Sequence, residues 1–465
     1  MQKFLANYAT AAHLALLAVA PLFLFPFFGD DATAVVLLWL SLIAATWVVM
    51  APACRPGEMP HNARTRLCHS VMGDPVTWFM LVAIGFAGIR ALNGGIAYAY
   101  DAESMVWYIR SPSVDILPGC VNGHGFLPFA VSVALAVLLL GTRHALGGAS
   151  SDAFFVSAAF MAGIAAIVSA IALSYGTPKV LGMVSCSYES PSFAGTAYGV
   201  HLVGGVVALF GCAEAGWRRA EPLAAFGLVS SAVGLVLFSP PATFAVFAVA
   251  FVLMYLVAFP LTRGRSVDSA ALRCAVALLT VVAAVVLVFM LGENFGSLAD
   301  KRDSLLSMKF FPEGFAASRN AISSIALKSW KSNPWLGAGL GSFPIDLRFV
   351  ASRADWALIS PRQVAALNGW WQLLLERGIA GALVFAVGAG FLAWVYFARL
   401  AGSFGCGRWS TVCLLAPLLA LALVALAFID CSFLRPDVLL PAVAAISLSA
   451  GAFRQKSRSL DNLGE

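Results

Sequence analysis

Charge is what this sequence has least of. Asp, Glu, Lys and Arg make up 11% of its 465 residues, and hydrophobic residues make up 60%. Soluble domains carry about 25% charged residues, so a water-soluble globular chain is excluded. The mean hydropathy is +0.87. Period-2 alternation is also lacking. The apolar runs are continuous, which argues against a membrane barrel. The nine cysteines are scattered. Cys54-x6-His61-x6-Cys68-His69 has the residue types of a metal site, but zinc ligands usually come as closely spaced pairs. No metal and no other cofactor is expected. The net charge of +6 sits mostly as single or paired basic residues between apolar runs. That is the pattern of topology signals, and no nucleic-acid partner is expected. The first apolar run is long and ends without a small-residue cleavage pattern, so it reads as a first membrane span. Inside the spans, ionisable groups are nearly missing. Arg90 and Glu214 lie near ends, from which they can reach water. Pumps and ion-coupled transporters need ionisable groups within the membrane. There is also no internal repeat of the kind that builds a transporter from two halves. Their scarcity points to chemistry at a membrane surface.

What is present is a series of apolar runs, each long enough for a bilayer, which takes roughly 20 residues. The expected fold class is all-α, a polytopic membrane protein of about twelve transmembrane helices. They are read at about 8–28, 33–51, 75–93, 124–141, 153–174, 194–213, 223–239, 242–260, 272–292, 379–398, 411–429 and 437–453. Their connections alternate in charge. One set carries Arg55, Arg64 and Arg66, then Arg143, Arg218 and Arg219, Arg263 and Arg265, Arg399 and Arg408. The opposite set is acidic or mixed, with Asp30 and Asp31, Asp101 and Glu103, Glu189, Asp430 and Asp437. The positive-inside rule then puts both termini in the cytoplasm.

Three regions follow: spans one to nine over 1–292, an extracytoplasmic segment over 293–378, and spans ten to twelve with a cytoplasmic tail over 379–465. The middle segment is the longest polar and irregular stretch. It carries ten basic residues against seven acidic and no histidine. The rule does not forbid such charge outside, because long loops translocate largely regardless of it. Within the segment, 312–331 has the pattern of a short amphipathic helix, with Ile322, Ile325, Ala326 and Ser329 on one stripe. Asn333-Pro334 stops it, since the residue before proline is pushed out of the α region. Trp335 supplies an anchor at headgroup depth. Gly337, Gly339 and Gly341 then alternate, and such a stretch can aim amide N–H groups at an anion or simply form a turn. Asn368, Gln372 and Glu376 fall at i, i+4 and i+8 on one face of the next helix. Two other outer loops carry Cys120 and Cys186, which an oxidising compartment could join.

These residues carry a resemblance. The chain resembles the O-antigen ligase and O-antigen polymerase superfamily of bacterial inner-membrane proteins. The layout is similar throughout, with a large periplasmic loop between the ninth and tenth spans. The motif likeness is strongest from Arg319 to Gly381: Arg319, then Trp330, then N-P-W-L-G-A-G-L-G-S-F over Asn333–Phe343, then Trp371-Gln372-Leu373-Leu374-Leu375-Glu376-Arg377-Gly378. Ser190–Gly205 is more weakly similar. Two departures stand out. Leu367 occupies the place of the family's histidine, and Pro240-Pro241 follow Ser239 where an arginine is common.

The resemblance implies a GT-C-like architecture and a metal-independent, inverting transfer. A glycan would move from a polyprenyl (undecaprenyl) diphosphate to an acceptor sugar at the periplasmic face, in lipopolysaccharide or exopolysaccharide assembly. The partners implied are that lipid-linked donor, a glycan or glycolipid acceptor, the bilayer and other polysaccharide assembly proteins. On this reading Arg319, Asn368 and Glu376 are the catalytic candidates. Trp335, Gly337, Gly339, Gly341, Arg348, Arg353, Arg362 and Gln372 are the substrate-binding ones. Asp346 and Asp355 join Glu376 as possible bases. Two further readings stay open, a non-catalytic scaffold and a lipid or glycan transporter.

Overall fold

The computed structural model describes residues 2–24, 30–50, 59–110, 112–114, 116–121, 125–146, 149–174, 192–214, 219–239, 241–262, 315–359, 366, 368–403, 411–429, 431 and 434–461. The chain is mostly helical. In order come α1 (Gln2–Leu24), α2 (Asp30–Met50), α3 (Pro60–Met72), α4 (Pro75–Leu92), β1 (Ala97–Asp101), β2 (Val106–Arg110), α5 (Phe126–His144), α6 (Ala149–Ser174), α7 (Ser192–Glu214), α8 (Glu221–Phe238) and α9 (Pro241–Thr262). After them come α10 (Phe315–Ser332), α11 (Phe343–Val350), α12 (Arg353–Trp356), α13 (Gly369–Ser403), α14 (Thr411–Ala427) and α15 (Pro436–Asp461).

Among the described residues, seven helices are long and apolar enough to cross a membrane: Asp31–Met50, Pro75–Leu92, Phe126–His144, Ser150–Ile171, Gly195–Cys212, Glu221–Phe238 and Gly369–Phe391. This is a helical, membrane-embedded protein. Shorter apolar helical stretches, such as Tyr8–Leu24 and Pro436–Leu448, pack with them. The span expected at 272–292 lies outside the described residues, as do Cys54, Cys186 and Arg362.

Helix packing rests on small residues. Without water to drive apolar faces together, membrane helices gain from close backbone approach. Along α7, Gly195 lies against Ser239, Gly199 against the Phe247 ring and Gly205 against Leu228, so an added Cβ has no room at the first two. At one end of the bundle Asp74 joins α4 to α5. Its Oδ1 caps α4 by accepting from the Val76 amide at 3.1 Å. Its Oδ2 accepts from Arg143 Nη2 at 2.7 Å and meets His144 Nε2 at 2.9 Å.

The opposite end of α4 organises the candidate site. Asn93, 4% exposed, closes that helix. Its side-chain amide donates to the Val114 and Leu117 carbonyls at 3.0 and 2.9 Å, and its Oδ1 accepts from the Val114 amide at 2.9 Å. The loop so held departs from an all-helical pattern. It contains an antiparallel β1–β2 hairpin, with Tyr100 paired to Trp107 and Ala99 to Tyr108.

The 315–359 region has its own small core. Ile322, Ile325 and Ala326 of α10 are fully buried against Phe343, Leu347, Ile359 and Leu375. The expected stripe is therefore the packed face, with Ser329 buried beside it.

Candidate functional site

The glycine turn and α13 interlock. α13 is broken at Gly378, whose φ of 63° and ψ of −170° are non-helical. A broken helix at membrane depth must find new partners for its freed backbone groups. Here the segment 334–341 provides them. The Ile379 amide donates to the Pro334 carbonyl at 2.9 Å and the Ala380 amide to the Trp335 carbonyl at 3.0 Å. In return the Ala338 amide donates to the Leu375 carbonyl at 2.7 Å. Gly337, Gly339 and Gly341 all have positive φ, at 76°, 106° and 73°. Glycine alone takes that region without steric cost, so the alternating glycines are what lets the turn dock.

This docking engages much of the turn's donor set. The Gly337 amide donates to the Asn333 carbonyl at 2.9 Å and the Leu340 amide to the Gly119 carbonyl at 3.3 Å. The Gly341 amide donates to Glu376 Oε1 at 3.0 Å. The turn is thus a backbone plug for α13 rather than an open cradle for a phosphate. The Trp335 ring is 70% exposed, on the outside of that plug.

The polar stripe of α13 is also engaged. Asn368 Oδ1 accepts from the Trp370 amide at 2.9 Å and the Trp371 amide at 3.3 Å. It is the N-cap of the helix. Gln372 Oε1 accepts from the Ala366 amide at 2.7 Å, and its Nε2 donates to Glu376 Oε1 at 2.7 Å. The stripe thus passes from cap to carboxylate and ends on the glycine turn.

Arg90 and Arg377 are the cations at the centre. Arg90 is 1% exposed. It donates through Nη2 to the Glu376 carbonyl and lies over the Phe86 ring at 5.5 Å from its centroid. Among the described residues its Nε and Nη1 are buried without a hydrogen-bond partner. Arg377 and Glu376 are both close enough to act on its charge. Two guanidiniums and one carboxylate leave the cluster net positive. Both arginines line a cleft of about 620 Å³ between α4, α5, α13, α14 and α15. The rest of its wall is mostly apolar, from Leu340 and Trp370 near the arginines to Val76, Leu139 and Ile446 further along the bundle.

The remaining expected residues lie elsewhere. Arg319, on α10, donates to the Phe428 carbonyl. The Phe428 ring is 6.1 Å from the Trp370 ring, so Arg319 stands at the rim of the same cleft. Arg348 and Arg353 are exposed on α11 and α12. Asp355 is committed to a capping box, with Oδ2 accepting from Ser352 Oγ at 2.7 Å. That hydroxyl and the Ser352 amide hold its carboxyl below the usual range. Asp346 is 7% exposed. Burial pushes its carboxyl up, partly offset by Ser329 and Ser342. Cys120 is buried and forms no disulfide among the described residues. Burial raises its pKa, and the nearby Arg90 charge partly offsets that.

The sequence places Arg90 near a helix end, from which it can reach water, whereas the structure buries it. The available signal was an arginine on an apolar helix just before Asn93-Gly94-Gly95, a helix stop. Among the described residues no group of three or more His, Cys, Asp or Glu is placed to hold a metal ion. Comparison of the chain with protein-family models and with curated proteins finds no match.

Proposed function

We propose that the protein transfers a glycan from a polyprenyl diphosphate to an acceptor sugar at the extracytoplasmic face of a bacterial inner membrane, within a twelve-span topology. The observation that carries this reading is Arg90. A buried guanidinium with two nitrogens that find no partner among the described residues is costly, and it borders a long apolar cleft. A diphosphate on an isoprenoid chain complements both, with oxygens for the guanidiniums and hydrocarbon for the cleft. The resemblance of Arg319 and Asn333–Phe343 to the motifs of O-antigen ligases and polymerases supports the same chemistry.

In the proposed step the acceptor hydroxyl oxygen forms a bond to the anomeric carbon. The bond from that carbon to the diphosphate oxygen breaks, and the electron pair leaves with the diphosphate. Arg90 and Arg377 stabilise the charge that develops there, with Arg319 at the rim. Glu376, beside both arginines, takes the acceptor proton. Asn368 and Gln372 position that carboxylate and touch no substrate.

A lipid-linked-glycan binder without turnover is the second reading. It is favoured by the engagement of Glu376 Oε1 with both Gly341 and Gln372. The test uses purified protein in lipid nanodiscs with a synthetic polyprenyl-diphosphate oligosaccharide. Wild type should bind it, and Arg90→Ala should bind at least tenfold more weakly. Binding that Arg90→Ala leaves intact rejects the site. Binding without product formation selects the second reading.

A further inference from the structure

The β1–β2 hairpin carries a set of rings that the donor site does not use. Tyr100 and Trp107 are a cross-strand pair, with centroids 4.9 Å apart and planes inclined by 48°. They are 47% and 50% exposed, and Tyr108 on the opposite face is 46% exposed. Every residue of β2 is exposed. Among the described residues the hairpin is the whole of its sheet, and the outer edge of each strand carries backbone groups without a ladder partner there. Such edges cannot sit in hydrocarbon. Exposed carboxylates and hydroxyls at the tip, from Glu103 and Ser104, agree with a position in water. Rings held in water on a ribbon this small mark a binding surface.

Its location narrows the ligand. The foot of the hairpin is joined to the candidate site by two bridges, Ile96 with Val121 and Cys120 with Leu340 of the glycine turn. A second cleft, of about 320 Å³, opens at that foot. It is lined by Gly94, Gly95, Ser113 and Cys120. Cys120 lies within electrostatic reach of Arg90, and Arg90 also lines the larger apolar cleft, so both clefts approach that cation. An acceptor needs such a second approach.

We infer that the hairpin and the cleft at its foot bind the saccharide chain of the acceptor, with sugar rings against Tyr100 and Trp107. The C–H face of a pyranose is weakly positive and fits the negative face of an aromatic ring. Arg110, exposed at the base of β2, is placed to hydrogen-bond hydroxyls. The assignment of this chain as the acceptor rests on the glycosyl-transfer reading, but the binding can be measured without it.

The test reads the fluorescence difference between wild type and Trp107→Phe in nanodiscs. The titrants are soluble neutral gluco-, manno- and chito-oligosaccharides of four to six units. The expected result is a saturable change with at least one of them, weakened at least tenfold in Tyr100→Ala. A parallel set of discs contains brominated phosphatidylcholine, which quenches rings lying in lipid. No response to any oligosaccharide overturns the inference, as does strong quenching of the Trp107 signal by the brominated lipid. Polyprenyl-diphosphate binding is read in the same discs and reports folding. Oligosaccharide binding with wild-type donor binding absent defeats the transfer reading alone. Donor binding without an oligosaccharide response defeats this inference alone.

Discussion

The Gly341 amide donates to Glu376 Oε1 at 3.0 Å, so the turn that plugs the break in α13 also holds the carboxylate beside Arg90 and Arg377. Backbone architecture and charge are therefore coupled at one point. A change in the turn should disturb the site, and a change in the site should loosen the turn.

Gly378→Ala tests the plug. The φ of 63° disfavours any side chain, and an added Cβ meets the Trp335 carbonyl oxygen. Strained backbone costs about 1–3 kcal/mol, and the clash adds to it. The thermal midpoint in detergent should fall clearly. Gly390→Ala is the control, because among the described residues nothing lies within 4 Å of the new Cβ. It should be neutral or stabilising by up to about 1 kcal/mol.

Glu376→Gln separates structure from chemistry. An amide oxygen can still accept from Gly341, so the turn should stay docked. On the proposed mechanism the proton acceptor is lost, and turnover should drop by about 10²–10⁴-fold, the usual range for general-base catalysis. Donor binding should persist, because a negative charge beside the guanidiniums has been removed. Unchanged turnover removes Glu376 from the mechanism.

Asp74→Ala should be among the most damaging changes far from the site. It leaves the buried Arg143 without its carboxylate, a loss of about 3–5 kcal/mol for such pairs. Asp74→Leu with Arg143→Leu should recover much of that stability. Burial works against the Asp74 charge, but the His144 contact and the Arg143 charge outweigh it and hold the carboxyl below its ordinary range. A depressed folded pKa contributes stability above the unfolded value, near 3.9, and loses it progressively as pH falls below that. Acid unfolding curves of wild type and the double variant should diverge above that pH and converge below it.

Asp346 has the opposite sign. Burial raises its folded pKa, so the protonated form favours folding and ionisation opposes it. Stability is full below the unfolded value and is lost as pH rises through the folded one. Asp346→Asn should therefore raise the thermal midpoint at pH 7.5 and leave it nearly unchanged at pH 3. Loss of stability at pH 7.5 would mean that the ionised carboxylate has a favourable partner.

Much of this was legible in the chain. Ile322, Ile325 and Ala326 announced a packed stripe because helical period alone decides which residues share a face. Asn333-Pro334 announced the end of that helix through local sterics. The i, i+4, i+8 polar line was visible too. Its partners were not, because Gly341 and Ala366 reach it through contacts that no period encodes. The glycine run by itself fits either an anion cradle or a turn, and several of its amides are bonded within the protein. The break in α13 that takes up part of that run depends on a segment some forty residues earlier.

The membrane character and the helical class followed from composition and run length, since a bilayer penalises charge and unbonded backbone wherever they occur. The tertiary structure alone decided which cations face a shared cleft. Arg90 and Arg377 are 287 positions apart in number, and the sequence by itself lets Arg90 reach water from a helix end. They meet because the C-terminal end of α4 lies beside the break in α13, where Arg90 donates to the Glu376 carbonyl.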